Sequence, residues 1–515
     1  MTKKTLVWTL LVVGCLTSVA TAFTNCRETY IVPGRAALLE GSLSGLRDAY
    51  TFFNAGVQDT TKCTGDQREL AFLHAVSRTA MLFIDDSNLT LANSFIDMAN
   101  GFGVTIVGDY FTELNVSVPM PDGCYAIPSG APDANEIYLR IQNSVIPEID
   151  SIIAELSTIK DSASNRFQLS FPPSETGLDK TIKVDYSEVL ILKGLLLWLK
   201  SQLEFKQAYN LTVDPNDPNV QDAISQLFCG TDTLPNTTIN NWLNSYPLLL
   251  TVLPDGNSVL AQSKKDMIDA INYYFAVIKY LQSLKGPQDD HLIYIDPNDK
   301  PVFDLVGTRL KTLRDSLKKG TAGKYPFETT KQYKVRKGSK VIGNLVLVYD
   351  VTGLTGGEGT LVFSSSAAPT PLIWEVDQFY GTGTNFGIDL EYYSDSEQRQ
   401  GWFEGTLSSN GKKITNGTLE YWGYWSGEWH DSNTVSGLSA QLSKTQTIYG
   451  RLDLNPVFGG LKKRYPNPVS PRNLLPQFDN NNQPVPGTFG YYGLGGNDAT
   501  LGGILPDMTQ SDWAD

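Results

Sequence analysis

The chain has 515 residues, 41% hydrophobic and 11% aromatic, which is too apolar for a disordered protein and long enough for roughly two to four domains. With 41 Lys and Arg against 55 Asp and Glu the net charge is −14. Such a surface repels phosphate backbones, so no nucleic acid is expected as a partner.

Residues 1–22 read as a signal peptide: Lys3 and Lys4, an apolar run from Leu6 to Val19, and the small-residue exit Ala20-Thr21-Ala22. Cleavage there starts the mature chain at Phe23 and places it in the periplasm or outside the cell. Val12-Val13-Gly14-Cys15 also resembles a lipobox, and lipidation of Cys15 would tether the protein to a membrane surface. Either route is extracytoplasmic, and a lipid anchor at Cys15 is the one membrane association expected. The run falls short of the roughly 20 apolar residues of a transmembrane helix.

An exported chain matures in an oxidising compartment. Beyond the signal stand Cys26, Cys63, Cys124 and Cys229. Four cysteines allow three connectivities. Cys26–Cys63 and Cys124–Cys229 are expected, because short loops close more readily. No CxxC spacing points to zinc or redox chemistry.

Residues 23–325 carry a helical period. Leu39, Leu43, Leu46, Tyr50 and Phe53 fall on one helix face, and Leu70, Leu73, Ser77, Met81 and Ile84 repeat the pattern after Thr64-Gly65-Asp66. Further helices are expected at Ile149–Ile159, Tyr186–Tyr209, Val220–Phe228, Lys264–Leu284 and Val302–Leu317. Gly45, Ala49 and Ala75, set among Tyr50, Phe53 and Phe72, resemble the small and aromatic positions of tetratricopeptide hairpins, where small residues let antiparallel helices approach. No clean 34-residue period follows, so a tetratricopeptide-like array and an irregular bundle both stand.

Residues 326–455 read as an antiparallel β domain. Val341–Tyr349 is a β-branched run, and Gly-Thr-Leu recurs at 359–361, 405–407 and 417–419 around turns such as Asn410-Gly411. Short strands at about 10-residue spacing predict a sandwich or small barrel. Trp402 precedes the cluster Tyr421-Trp422-Gly423-Tyr424-Trp425 and then Trp429. Strand alternation sends Tyr421, Trp425 and Trp429 to one face and Trp422 and Tyr424 to the other. One set fills a core; the other either lines a neighbouring strand or domain contact or is a candidate platform for sugar rings or a peptide.

Residues 456–515 are rich in Pro, Gly and Asn, with spaced apolar anchors Leu501, Ile504, Leu505, Met508 and Trp513. Prolines exclude long regular elements here, and the anchors predict a strip wrapping on the helical body. The fold class is therefore α+β multidomain: a helical body, a β module and an irregular C-terminal wrap. Leu501-Gly502-Gly503-Ile504-Leu505-Pro506-Asp507-Met508-Thr509-Gln510-Ser511-Asp512-Trp513, with the helical stretches Val145–Asp150 and Val184–Val189, resembles uncharacterised exported bacterial proteins with a tetratricopeptide-like body. The resemblance implies fold and location and assigns no activity or site residue.

Catalytic signals are weak. His74, His291 and His430 are the only histidines and share no motif, and no Gly-x-Ser-x-Gly elbow occurs. Asp479 and Asn481 alternate as the first ligands of a calcium loop do, without the later Gly and Glu; they are weak metal candidates and read more simply as an Asx turn. No cofactor is expected. The preferred reading is an exported, non-enzymatic binding or assembly protein with protein or polysaccharide partners. Its rival is a secreted polysaccharide-active enzyme with a β carbohydrate-binding module.

Overall fold

The computed structural model describes residues 25–84, 95–103, 105–107, 115–117, 128, 131–221, 236–284, 290–294, 300–321, 323–349, 358–364, 373–382, 385–394, 397–408, 411–425, 427–459, 468, 470–474 and 479–481. The signal segment with Cys15, the pair Cys124 and Cys229, and the anchors from Leu501 to Trp513 lie outside them. Contacts divide the chain into one unit of Met1–Lys300, Leu313–Thr321 and Asp453–Asp515, and a second of Pro301–Thr312 and Ala322–Leu452.

The first unit is helical. Ser42 accepts from the Gly45 N–H and caps Leu43–Gln58, which packs antiparallel to Gln67–Ile84 through Leu46, Ala49, Phe53, Leu70 and Leu73. Cys26 and Cys63 form the expected disulfide, tying the start of the unit to the turn between these two helices. The helix Tyr186–Gln207 opens on a capping box, with Asp185 accepting from Ser187 and Glu188 reaching back to the Asp185 N–H. It packs along Gly256–Ser283, and at the contact the Ser201 and Ser263 hydroxyls each donate to the other's carbonyl (2.9 and 2.8 Å). Further helices of this unit run over Ile146–Leu156 and Asn236–Ser245, while the helix Lys300–Lys319 is divided, Pro301–Thr312 counting with the second unit. The described residues do not show the first hairpin repeated as a tetratricopeptide array; unequal helices and short two-stranded sheets follow it. Among the described residues no helix is long and apolar enough to cross a membrane.

The chain returns to this unit after the β domain. Asn455–Phe458 is a short helix whose Phe458 is buried with Tyr209, Leu260 and Leu317. Asn455 Nδ2 donates to the Ser316 carbonyl, and farther on Ser470 and Arg472 donate to the Leu250 and Leu243 carbonyls. The beginning of the C-terminal segment is thus held by the helical unit.

The second unit is a closed eight-stranded antiparallel barrel, which excludes the sandwich. Two short ladders precede it in the chain, β1 (Thr105–Val107) with β2 (Asn115–Ser117), and β3 (Gln168–Phe171) with β4 (Ile182–Asp185). The barrel strands are β5 (Gly323–Lys337), β6 (Lys340–Tyr349), β7 (Glu358–Phe363), β8 (Ile373–Thr382), β9 (Asn385–Ser394), β10 (Glu397–Leu407), β11 (Lys413–Trp425) and β12 (Glu428–Leu452). Each pairs with its sequence neighbour, and β12 closes on β5. Eight strands leave an interior that side chains fill. Tyr333, Leu345, Leu347, Trp374, Ile388, Phe403, Ile414 and Leu419 are buried there.

Candidate functional site

Register and burial together give each barrel residue a face. Leu390, Gly401 and Tyr421 are cross-strand neighbours on the inner face, as are Ile388, Phe403 and Leu419. Gly401 leaves room here: a Cβ would stand 3.2 Å from the Trp374 ring and 3.3 Å from Tyr421 Cβ, tight enough that both would have to give way slightly. Trp374 and Tyr421 use that space to meet edge-to-face at 5.9 Å. Tyr421, only 8% exposed, is a core residue and leaves the candidate platform; its burial raises the pKa of its hydroxyl.

The intervening positions point outward and form three rows. Tyr393, Gln398, Tyr424 and Trp429 are mutual cross-strand partners on β9 to β12. Two residues along lie Glu391, Gln400 and Trp422, and then Asp389, Trp402, Glu420 and Thr434. At ~4.8 Å between strands and ~3.3 Å per residue, the grid spans about 14 by 13 Å. Trp429 is 61% exposed, Tyr393 52% and Tyr424 42%, whereas Trp402 and Trp422 are half-buried. The face is therefore a contiguous patch rather than scattered apolar residues.

Alternation alone put Trp429 with Tyr421, and the structure corrects this. Trp425 pairs with Glu428 and Tyr424 with Trp429, so the intervening tight turn, with Gly427 at φ 84°, resets the phase. Directly opposed residues share a face. Trp429 therefore joins Tyr424 outside. The Trp425 side chain lies outside the described residues.

Gln400 ties the rings together. The Trp422 indole N–H donates to Gln400 Oε1 (3.2 Å), and Gln400 Nε2 donates to the Tyr393 hydroxyl (3.4 Å). Ser432 donates to Glu420, holding the carboxylate beside Trp402 and Trp422. Tyr393 and Gln400 were not picked out of the sequence. Their signal was available only in register, since neither stands in the aromatic run. The arrangement offers flat apolar rings with amide and carboxylate groups between them, which suits a ligand with apolar C–H faces and a rim of hydroxyls.

The remaining candidates are placed elsewhere. Asn481 N–H donates to Asp479 Oδ1 (2.8 Å), an Asx turn. Among the described residues no group of three or more His, Cys, Asp and Glu is placed to hold a metal. His74 pairs with Glu155 and His291 with Asp185, each 2.7 Å apart and in separate parts of the helical unit. That unit also holds mainly apolar cavities of about 650 and 360 Å³; the charged groups lining them are Lys206 and Asp255 in the larger, beside the amides of Asn135, Gln207 and Asn210, and Glu188 in the smaller. No protein-family model, curated protein or solved structure matches this chain.

Proposed function

We propose that this is an exported, non-enzymatic binding protein whose barrel holds a glycan on the outer face of β9 to β12. The observation that carries the reading is the shared outward face of Tyr393, Trp402, Trp422, Tyr424 and Trp429, with Gln400 bonded to two of them. Exposed aromatics are costly to leave in water, and rings held by cross-strand hydrogen bonds lose little freedom when a ligand covers them. Export rests on the signal-like N-terminus, and the Cys26–Cys63 disulfide is in keeping with it. The likeness of the first hairpin to tetratricopeptide pairs, and of the tail to exported bacterial proteins, belongs to the same proposal.

The test is a pulldown of the full-length protein on a panel of insoluble polysaccharides, beside the variant Trp422→Ala/Trp429→Ala. Retention on at least one glycan is expected, with a loss of about ten-fold or more in the variant, the scale of removing two anchor residues from an interface. No retention on any glycan, or equal retention of both proteins, overturns the reading. A polysaccharide-active enzyme would also release new reducing ends from the bound glycan, and none are expected here.

A further inference from the structure

The aromatic face is also an acidic one. From Ile373 to Trp425 the chain carries eight Asp and Glu against Arg399, Lys412 and Lys413. Arg399 shares the inner-face row of Tyr392 and Gly423, and its guanidinium lies over the Tyr392 ring at 4.9 Å. Lys413 is seven residues along β11 from Glu420, about 23 Å away. The outer face around the rings carries Glu375, Asp389, Glu391, Glu404 and Glu420, with Asp377 exposed at the β8 bulge.

Two of these acids oppose each other directly. Glu375 on β8 is the cross-strand partner of Glu391 on β9, one row from Asp389. Like charges in that position repel and destabilise a sheet. Among the described residues no cation pairs with Glu375, Asp389 or Glu391. A sheet that keeps such a pair on the same face as the half-buried indoles of Trp402 and Trp422 is complementary to a cation, because carboxylates attract an ammonium through charge and ring faces attract it through the quadrupole.

Resting on the reading of this face as a glycan platform, we infer that its ligand is a polymer of amino sugars bearing free, protonated amines. The sugar rings lie on Trp402, Trp422, Tyr424 and Trp429, their hydroxyls meet Gln398 and Gln400, and their ammonium groups meet Glu375, Asp389, Glu391 and Glu420. An anionic polysaccharide is repelled from the same surface. A lysine-rich peptide shares the charge but lacks a way to dock: peptides add to a free strand edge or lie in a groove, and a closed barrel has no such edge.

The experiment compares retention of the full-length protein on chitosan, on the same polymer fully N-acetylated, on cellulose, on polygalacturonate and on poly-lysine beads, below the pKa of the chitosan amines. The variant Glu375→Gln/Glu391→Gln is run alongside, with its melting temperature as a check on folding. Retention on chitosan is expected to fall about ten-fold or more on N-acetylation, in the double variant and at high salt, where screening shortens the reach of charge. Equal retention on chitosan, its N-acetylated form and cellulose overturns the amino-sugar assignment and leaves the platform standing. Retention on poly-lysine that survives Trp422→Ala/Trp429→Ala also overturns it, in favour of a cationic peptide. Retention on no glycan removes both readings.

Discussion

Tyr421 and Tyr424 stand three positions apart on one strand and have opposite roles. Tyr421 fills the barrel against Trp374, while Tyr424 lies outside with Trp429. Tyr421→Ala should cost about 3 kcal/mol or more, as aromatic truncations in a packed core do. Tyr424→Ala should stay within about 0.5 kcal/mol, as exposed substitutions do, while weakening glycan binding. Denaturant melts of the two variants separate these outcomes, and equal costs would mean the faces are misassigned. Composition and alternation identified the aromatic cluster and set Tyr421 apart from Trp422 and Tyr424, but misplaced Trp429, because the turn at Gly427 resets the phase.

A second residue-scale feature was not legible at all. In the helical unit Lys200 lies 2.6 Å from Asp150, 3.2 Å from Asp266 and 3.6 Å from Glu204. Three carboxylates share one ammonium, and burial together with Asp266 pushes the Glu204 pKa up from 4.5 to about 8. The folded protein therefore keeps a proton that the unfolded chain releases above pH 4.5. Its stabilising effect is complete below that pH and is lost as pH rises toward about 8. Stability of the wild type should fall across this window, by at most about 1.4 kcal/mol per pH unit from this group. Glu204→Gln should make the profile shallower in melts taken across the range, the remaining slope including that of Glu188, whose burial also raises its pKa to about 8, and an unchanged slope would contradict the assignment. The four residues come from three helices, so local spacing shows only the i,i+4 pair Lys200 and Glu204 and not the two aspartates that join it.

At the scale of elements, the helices at Tyr186–Gln207 and Lys300–Lys319 follow from apolar periodicity, and β6 follows from its β-branched run. Closure was not legible, since the pairing of β12 with β5 joins residues from Leu438 and Lys337 to Leu452 and Gly323, more than 100 positions apart, and depends on twist rather than local sequence. The disulfide was legible because its loop is short. Cys26 and Cys63 are 37 residues apart, and closing such a loop in the unfolded chain stabilises the fold by about 4 kcal/mol. Cys63→Ser should lower the melting temperature of the helical unit accordingly; an unchanged melt would show the linkage to be without effect.

One glycine couples barrel geometry to the proposed site. Gly423 has φ 134°, and a Cβ there would stand 2.2 Å from the Gln398 carbonyl of β10. Gly423 lies between Trp422 and Tyr424, at a register shift in the β11–β12 ladder. Gly423→Ala should cost on the order of 1–3 kcal/mol and weaken glycan retention as well, because β10 and β11 must part beside the two rings. A stable variant that binds normally would show that the strand junction does not set the face.

At the scale of the whole molecule, the chain builds a helical unit, leaves it to close a barrel, and returns to it at Asp453. The change of texture near residue 325 was visible as a shift from helical to strand periodicity. The return rests on Phe458, which buries itself against Tyr209, Leu260 and Leu317 and was not among the anchors read from the sequence; those anchors lie outside the described residues. The central claim is that the outer face of β9 to β12 binds glycan. Electrophoresis of the full-length protein through gels containing dissolved glycan tests it most directly, with Trp422→Ala/Trp429→Ala as the comparison. Wild-type protein should be retarded and the variant should run as in a blank gel, both with the same melting temperature. Equal retardation of the two would contradict the account.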